Sequence, residues 1–173
     1  MIKKITKILT IFLILVGLAK SINADELKPS DGHQLNFFSG VLDINNDLNK
    51  SSELFGIQHS NENLFRDTFL GKLSPISGFM VTADADTYFY TGVQAEYKIG
   101  KLNLIPSFSP GLYSVGDGKD LGSPLEFKSE LQLSLDLLPG TKLGYSQSHL
   151  SNADLGDTNP GADSYMFNFM KSF

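Results

Sequence analysis

The sequence predicts an all-β protein, an eight-stranded antiparallel transmembrane β-barrel. Three observations carry that prediction. The chain opens with an export signal, and no later stretch is long and apolar enough for a membrane helix. Its second half alternates apolar and polar residues with a period of two. Tight turns and longer polar loops alternate between the strands.

The chain has 173 residues, which favours one domain. Met1-Ile2-Lys3-Lys4 and Lys7 form a basic start, Ile8 to Ala19 an apolar run broken by Thr10 and Gly17, and Ile22-Asn23-Ala24 a cleavage site. A signal peptide is therefore expected over residues 1–24 and a barrel over residues 25–173, in the outer membrane of a Gram-negative bacterium. The absence of cysteine removes disulfides as a source of stability for an exported domain. A closed barrel supplies another source, because every backbone donor and acceptor pairs around the ring. A net charge of -5 argues against nucleic acid as a partner. No phosphate-binding glycine loop, dinucleotide fingerprint or zinc spacing occurs, and His33, His59 and His149 lie far apart in sequence. No cofactor or metal is expected.

The elements follow in order. Asp25 to Asp31 reads as a polar arm. Strand-like segments then cover about 33–44, 51–60, 67–82, 86–98, 101–115, 123–138, 141–151 and 163–173; a tilted strand crosses a bilayer in about 9–11 residues. The first three segments alternate less cleanly than the rest. In the fourth, Phe89, Val93, Ala95 and Tyr97 oppose Gln94 and Glu96. In the fifth, Leu102, Leu104, Phe108 and Leu112 oppose Asn103, Ser107 and Ser109. The sixth is the clearest: Leu125, Phe127, Ser129, Leu131, Leu133, Leu135 and Leu137 share one face, and Glu126, Lys128, Glu130, Gln132, Ser134 and Asp136 the other. In a small barrel that charged face points inward, where Glu126, Lys128 and Glu130 are expected to form a network. In the last segment Tyr165, Phe167, Phe169 and Phe173 oppose Ser164, Asn168 and Ser172.

Ile99-Gly100 and Pro139-Gly140 are tight turns, while the links at Asn45-Asn46-Asp47, Gly116 to Gly122 and Asn152 to Ala162 are longer. That is the arrangement of short periplasmic turns and long external loops. His59 to Arg66 is long for a periplasmic turn. A soluble eight-stranded barrel or sandwich is the alternative fold, and it shares the lack of helical stretches.

The candidate chemistry lies near the C-terminus. On the seventh segment His149 and Ser151 continue the outward parity of Leu143 and Tyr145. Asp163 has the outward parity of Tyr165 and Phe167. Residues two apart on a strand are separated by about 6.6 Å, and cross-strand neighbours by about 5 Å. If Asp163 pairs near His149, the constellation is that of a nucleophilic ester hydrolase: Ser151 as nucleophile, His149 as general base and Asp163 as the acid that orients it. Asn152 follows directly as a candidate oxyanion donor, by side chain or backbone. An ester hydrolase facing hydrocarbon suits a lipid substrate.

The segment HLSNADLGDTNPGADSY, with His149, Ser151, Asn152, Ala153, Asn159-Pro160-Gly161 and Asp163, resembles the active-site region of the lipid A 3-O-deacylase family, the PagL-like barrel esterases also called acyloxyacyl hydrolases. Gly111 to Ser134 is similar to that family's fifth and sixth strands. The resemblance implies an outer-membrane barrel whose Ser-His-acid triad faces lipid, with Ser151, His149 and Asp163 in those roles and Asn152 at the oxyanion hole. Better-known members carry Glu where this chain has the shorter Asp163. The implied reaction is hydrolysis of the 3-hydroxyacyl ester of lipid A, with no cofactor. Implied partners are lipid A or lipopolysaccharide and outer-membrane lipids, for a monomer or homodimer. A non-catalytic structural barrel and a phospholipid esterase or acyltransferase are the competing functions.

Overall fold

The alternation that is cleanest in sequence sets the wall. In β8, Leu125–Leu138, the side chains of Glu126, Lys128, Gln132 and Ser134 are buried, while Leu131, Leu133, Leu135 and Leu137 are exposed. A soluble protein rarely leaves such a row in water. Here the row is part of a belt with Phe79, Phe89, Phe108, Leu112, Tyr145 and Phe167 from other strands. The belt is the surface a bilayer covers.

The computed structural model describes residues 32–42 and 51–173. The expected signal peptide, the arm before Gly32 and the Asn45-Asn46-Asp47 loop lie outside the described residues. The strands are β1 (His33–Leu42), β2 (Ser52–Asn61), β3 (Arg66–Thr68), β4 (Gly71–Thr82), β5 (Thr87–Ala95), β6 (Tyr97–Ile99), β7 (Leu102–Ser114), β8, β9 (Thr141–Ser151) and β10 (Ala162–Ser172). They make eight staves, because β2 and β3 both pair with β4, and β5 and β6 both pair with β7. Every pairing is antiparallel between neighbours, and β1 pairs with both β2 and β10. The ring is closed and has no free edge.

The fifth segment and those after it run within two residues of the sequence-based limits. The fourth breaks at Glu96, whose carboxylate is drawn to Lys142 Nζ at 2.6 Å. The third was expected from residue 67. Instead β3 closes a small hairpin on β4, and a 3-10 turn at Glu62–Leu64 fills the rest of the long periplasmic link.

Side chains fill the interior, as a barrel of this size requires. Toward the external end the filling is apolar and aromatic: Phe38, Leu42, Leu54, Met80, Tyr88, Tyr90 and Met166. Their bulk is matched by small partners across the register. Tyr90 pairs with Gly78 and Phe38 with Gly56, and a Cβ on either glycine would meet the facing ring within 2.5 Å. Toward the periplasmic end the filling is amides, such as Asn36 donating to Asn168 Oδ1 at 2.9 Å. Lys128 donates to Glu130 at 2.7 Å and lies 4.0 Å from the centre of the Tyr90 ring. Glu126 is not part of that pair.

Candidate active site

Strands β9 and β10 meet at the external rim, and their register sets Asp163 directly opposite His149. Both point outward, so an imidazole and a carboxylate are cross-strand neighbours on the wall. Asp163 Oδ1 lies 2.8 Å from His149 Nδ1. The shorter acid reaches the ring. With Nδ1–H donated to the carboxylate, Nε2 is the nitrogen left to accept a proton.

Ser151 stands two positions along the same face, partly exposed, with Phe127 of β8 as its register partner. Among the described residues no hydrogen bond joins its hydroxyl to the ring. The structure thus brings His149 and Asp163 into contact and leaves Ser151 beside them on one face. Catalytic contacts of this kind often tighten only when substrate binds.

Two features were not anticipated. The first is Gly161. A Cβ there would lie 2.9 Å from His149 Cε1 and 3.3 Å from Nε2, and the residue has φ +57. Glycine both adopts that conformation and leaves space for the working edge of the ring. The signal was present in Asn159-Pro160-Gly161, which reads as a turn until its distance from His149 is known.

The second concerns Asn152, expected at the oxyanion hole. It is fully buried. Its side-chain Nδ2 donates to Leu121 O at 2.9 Å and Thr158 O at 2.7 Å, and its backbone N–H donates to Asn159 Oδ1 at 3.1 Å. Its donors are in use, and the side chain ties the β7–β8 loop to the β9–β10 loop. The donors next along the chain are the backbone N–H groups of Ala153 and Asp154. These two residues form the corner of a turn closed by Leu155 N–H on Asn152 O at 3.1 Å, with φ of 53 and 60. Each such left-handed residue costs on the order of 1 kcal/mol. The chain holds a strained corner directly after Ser151.

The wall around these residues is apolar. Phe127 stacks on Phe108 at 6.0 Å, and Tyr145 stacks on Tyr165 at 6.4 Å. Between Phe127 and Leu131 the small Ser129 faces His149 across the register. A cavity of about 540 Å³ opens at the periplasmic mouth, among Glu62, Glu96, Lys98, Asp136 and Lys142. Partial withdrawal from water there, with the Glu96 carboxylate adding and Lys142 opposing, raises the Glu62 carboxyl above its ordinary value. A site on an outer wall needs no cavity of its own, because the bilayer forms its other side.

The remaining histidines do meet: His33 Nδ1 lies 3.0 Å from His59 Nε2, and His33 stacks on Phe173. They sit at the periplasmic rim, at the opposite end of the barrel from His149. On the long loops, Asp154 accepts from Asn159 Nδ2 at 3.1 Å and Asp120 from Gly122 N–H at 2.8 Å.

Comparison with known proteins bears on the family and the fold. A family model described as lipid A 3-O-deacylase (PagL) matches residues 51–172, a span that includes His149, Ser151 and Asp163. No curated protein matches the chain. Among solved structures, the crystal structure of the outer membrane enzyme PagL is similar with a TM-score of 0.63 and 19% identity, covering 81% of this chain and 99% of that one. A de novo designed transmembrane β-barrel gives a TM-score of 0.54 at 10% identity, over 84% of this chain and 98% of that one. Neisserial surface protein A gives 0.52 at 8%, over 84% and 100%. At such identities the likeness is one of fold. The family match covers most of the chain, and the chain therefore belongs to the lipid A 3-O-deacylase (PagL) family, outer-membrane barrel enzymes that hydrolyse carboxylic esters.

Proposed function

We propose that this protein removes the 3-hydroxyacyl chain from position 3 of lipid A, using Ser151, His149 and Asp163 as its triad. The observation that carries the reading is the 2.8 Å contact of Asp163 with His149 Nδ1 on the outward wall. A carboxylate hydrogen-bonded to an imidazole on a hydrocarbon-facing surface is costly for structure alone. It is what an ester hydrolase with a lipid substrate requires.

The steps follow from the geometry. Ser151 Oγ attacks the ester carbonyl as His149 Nε2 takes its proton. Asp163 stabilises the imidazolium and holds its tautomer. The tetrahedral oxyanion is met by backbone N–H groups of the corner after Ser151, whose shape Asn152 maintains. Collapse breaks the bond to the sugar oxygen, and the imidazolium returns the proton to it. Water, deprotonated by His149, then cleaves the Ser151 ester and releases a 3-hydroxy fatty acid. The acyl chain lies along Ser129 between Phe127, Phe108 and Leu131. The site's position at the external rim suits a sugar headgroup at the outer leaflet's surface, with its chains running down the wall.

The test is mass spectrometry of lipid A from cells making the protein or its Ser151→Ala variant. Loss of one 3-hydroxyacyl mass with the first, and none with the second, is the expected result. Unchanged lipid A with a folded wild-type barrel sinks the proposal. Release of a fatty acid without a 3-hydroxyl group moves the substrate to phospholipid.

A further inference from the structure

On the inner face of the barrel, behind Ser151, the polar atoms do not balance. Glu126 is fully buried, and neither carboxyl oxygen has a hydrogen-bond partner among the described residues. The β8–β9 register, in which Phe127 faces Ser151, makes Glu126 the neighbour of Asn152 when carried one residue further. The Asn152 side chain acts on that carboxyl.

Asn152 cannot satisfy it as a donor. Its Nδ2 carries two hydrogens, and these go to Leu121 O and Thr158 O. The two carbonyls also fix the amide's orientation, since a flipped amide would set oxygen against oxygen. That leaves Asn152 Oδ1, buried and itself without a donor among the described residues. Buried acceptors on two residues that the register makes neighbours therefore lack a donor, and an unsatisfied buried polar group is expensive.

The surrounding groups do not supply one. Tyr88 of β5 donates its hydroxyl to Ser109 O and Glu126 O, both backbone. Tyr113 of β7 donates to Lys119 O. Lys128, next along the same inner face, is paired with Glu130. Asp120, the remaining ionisable group that acts on Glu126, carries a like charge. A proton on Glu126 itself closes the count: its O–H donates and Asn152 Oδ1 accepts.

We propose that Glu126 is a positioning residue, a neutral buried acid that holds the Asn152 amide through Oδ1 and so fixes the corner that follows Ser151. This rests on the reading of Ser151 as the nucleophile. Through Asn152 the same contact reaches the β7–β8 loop at Leu121 and the β9–β10 loop at Thr158. The nucleophile's backbone is thereby braced from inside the barrel, while its chemistry faces out.

The full chain, purified into mixed micelles of detergent and lipid A, provides the test. Gel migration before and after heating reports whether the barrel has closed. Glu126→Gln keeps a donor at the same place without a charge, and kcat should stay within about threefold of wild type. Glu126→Met keeps the bulk and removes the donor, and kcat should fall about 10- to 100-fold with KM little changed. The infrared spectrum of the folded wild type should contain a protonated-carboxyl band at neutral pH that Glu126→Gln lacks, which holds even if the Met variant does not fold. Wild-type kcat in Glu126→Met, a loss in Glu126→Gln as large as in Glu126→Met, or an unchanged carboxyl band each overturns the proposal. Ser151→Ala separates the two layers. If it is inactive, those failures concern Glu126 alone. If it retains activity, the nucleophile assignment falls and the positioning role falls with it.

Discussion

Gly161→Ala is the sharpest probe of the proposed site, because the residue takes no part in the proposed chemistry and yet borders the His149 ring. The added methyl would lie 2.9 Å from His149 Cε1. Carbon atoms in ordinary contact are about 3.5–4.0 Å apart, so the ring has to withdraw by roughly 0.6–1 Å. The backbone cannot yield instead, since Leu150 O would already be 3.2 Å from the same methyl. A reacting group misplaced by about 1 Å costs on the order of 100-fold in rate. We expect kcat to drop about 30- to 100-fold, or about 2–2.7 kcal/mol in barrier height. Alanine at φ +57 adds about 1–2 kcal/mol of backbone cost, which weakens the fold without entering kcat once the barrel is closed. The assay is release of 3-hydroxy fatty acid from lipid A in mixed micelles, with heat-dependent gel migration as the control for folding. A folded Gly161→Ala variant with wild-type kcat refutes the claim that the ring's position depends on this glycine.

Other expectations follow from particular contacts. Asp163→Asn leaves the shape intact but no longer fixes the proton on His149 Nδ1, so kcat should fall by about 10³–10⁴; a loss under tenfold in single-turnover kinetics removes Asp163 from the triad. Lys128→Met strands the buried Glu130 carboxylate, and should lower unfolding stability in urea by about 3–5 kcal/mol. The double change Lys128→Met with Glu130→Gln should recover most of that loss. Glu62 has its carboxyl raised in the folded state, so its contribution favours folding below the ordinary carboxylate range and is lost as pH rises through the raised value. Urea midpoints at acidic and mildly alkaline pH should show Glu62→Gln gaining on wild type only at the higher pH.

The fold was legible because one physical rule governs most of it. A period of two, read on Leu125 to Leu137, separates the wall from the interior, and the observed burial follows it residue by residue. The same rule placed His149, Ser151 and Asp163 on one outward face before any register was known. It also contained the answer for Asn152, whose even position belongs to the inner face; adjacency to Ser151 suggested an oxyanion donor where parity pointed to a buried amide. What the sequence could not disclose depends on register and on loop return. The register that makes Glu126 and Asn152 neighbours, the approach of Gly161 to the imidazole, and the pairing of His33 with His59 all join residues that no local pattern links. The break at Glu96 was hidden for a related reason, since its partner Lys142 lies on a strand that is not its neighbour.

The proposed reactive face, half protein and half bilayer, changes what concentration means for this enzyme. Substrate arrives by lateral diffusion within a leaflet, not from bulk solution, so the quantity that saturates the site is a surface density. Its Michaelis constant is naturally a mole fraction of lipid. Adding inert detergent at fixed substrate should slow the reaction by surface dilution, while enlarging the aqueous volume should leave it unchanged.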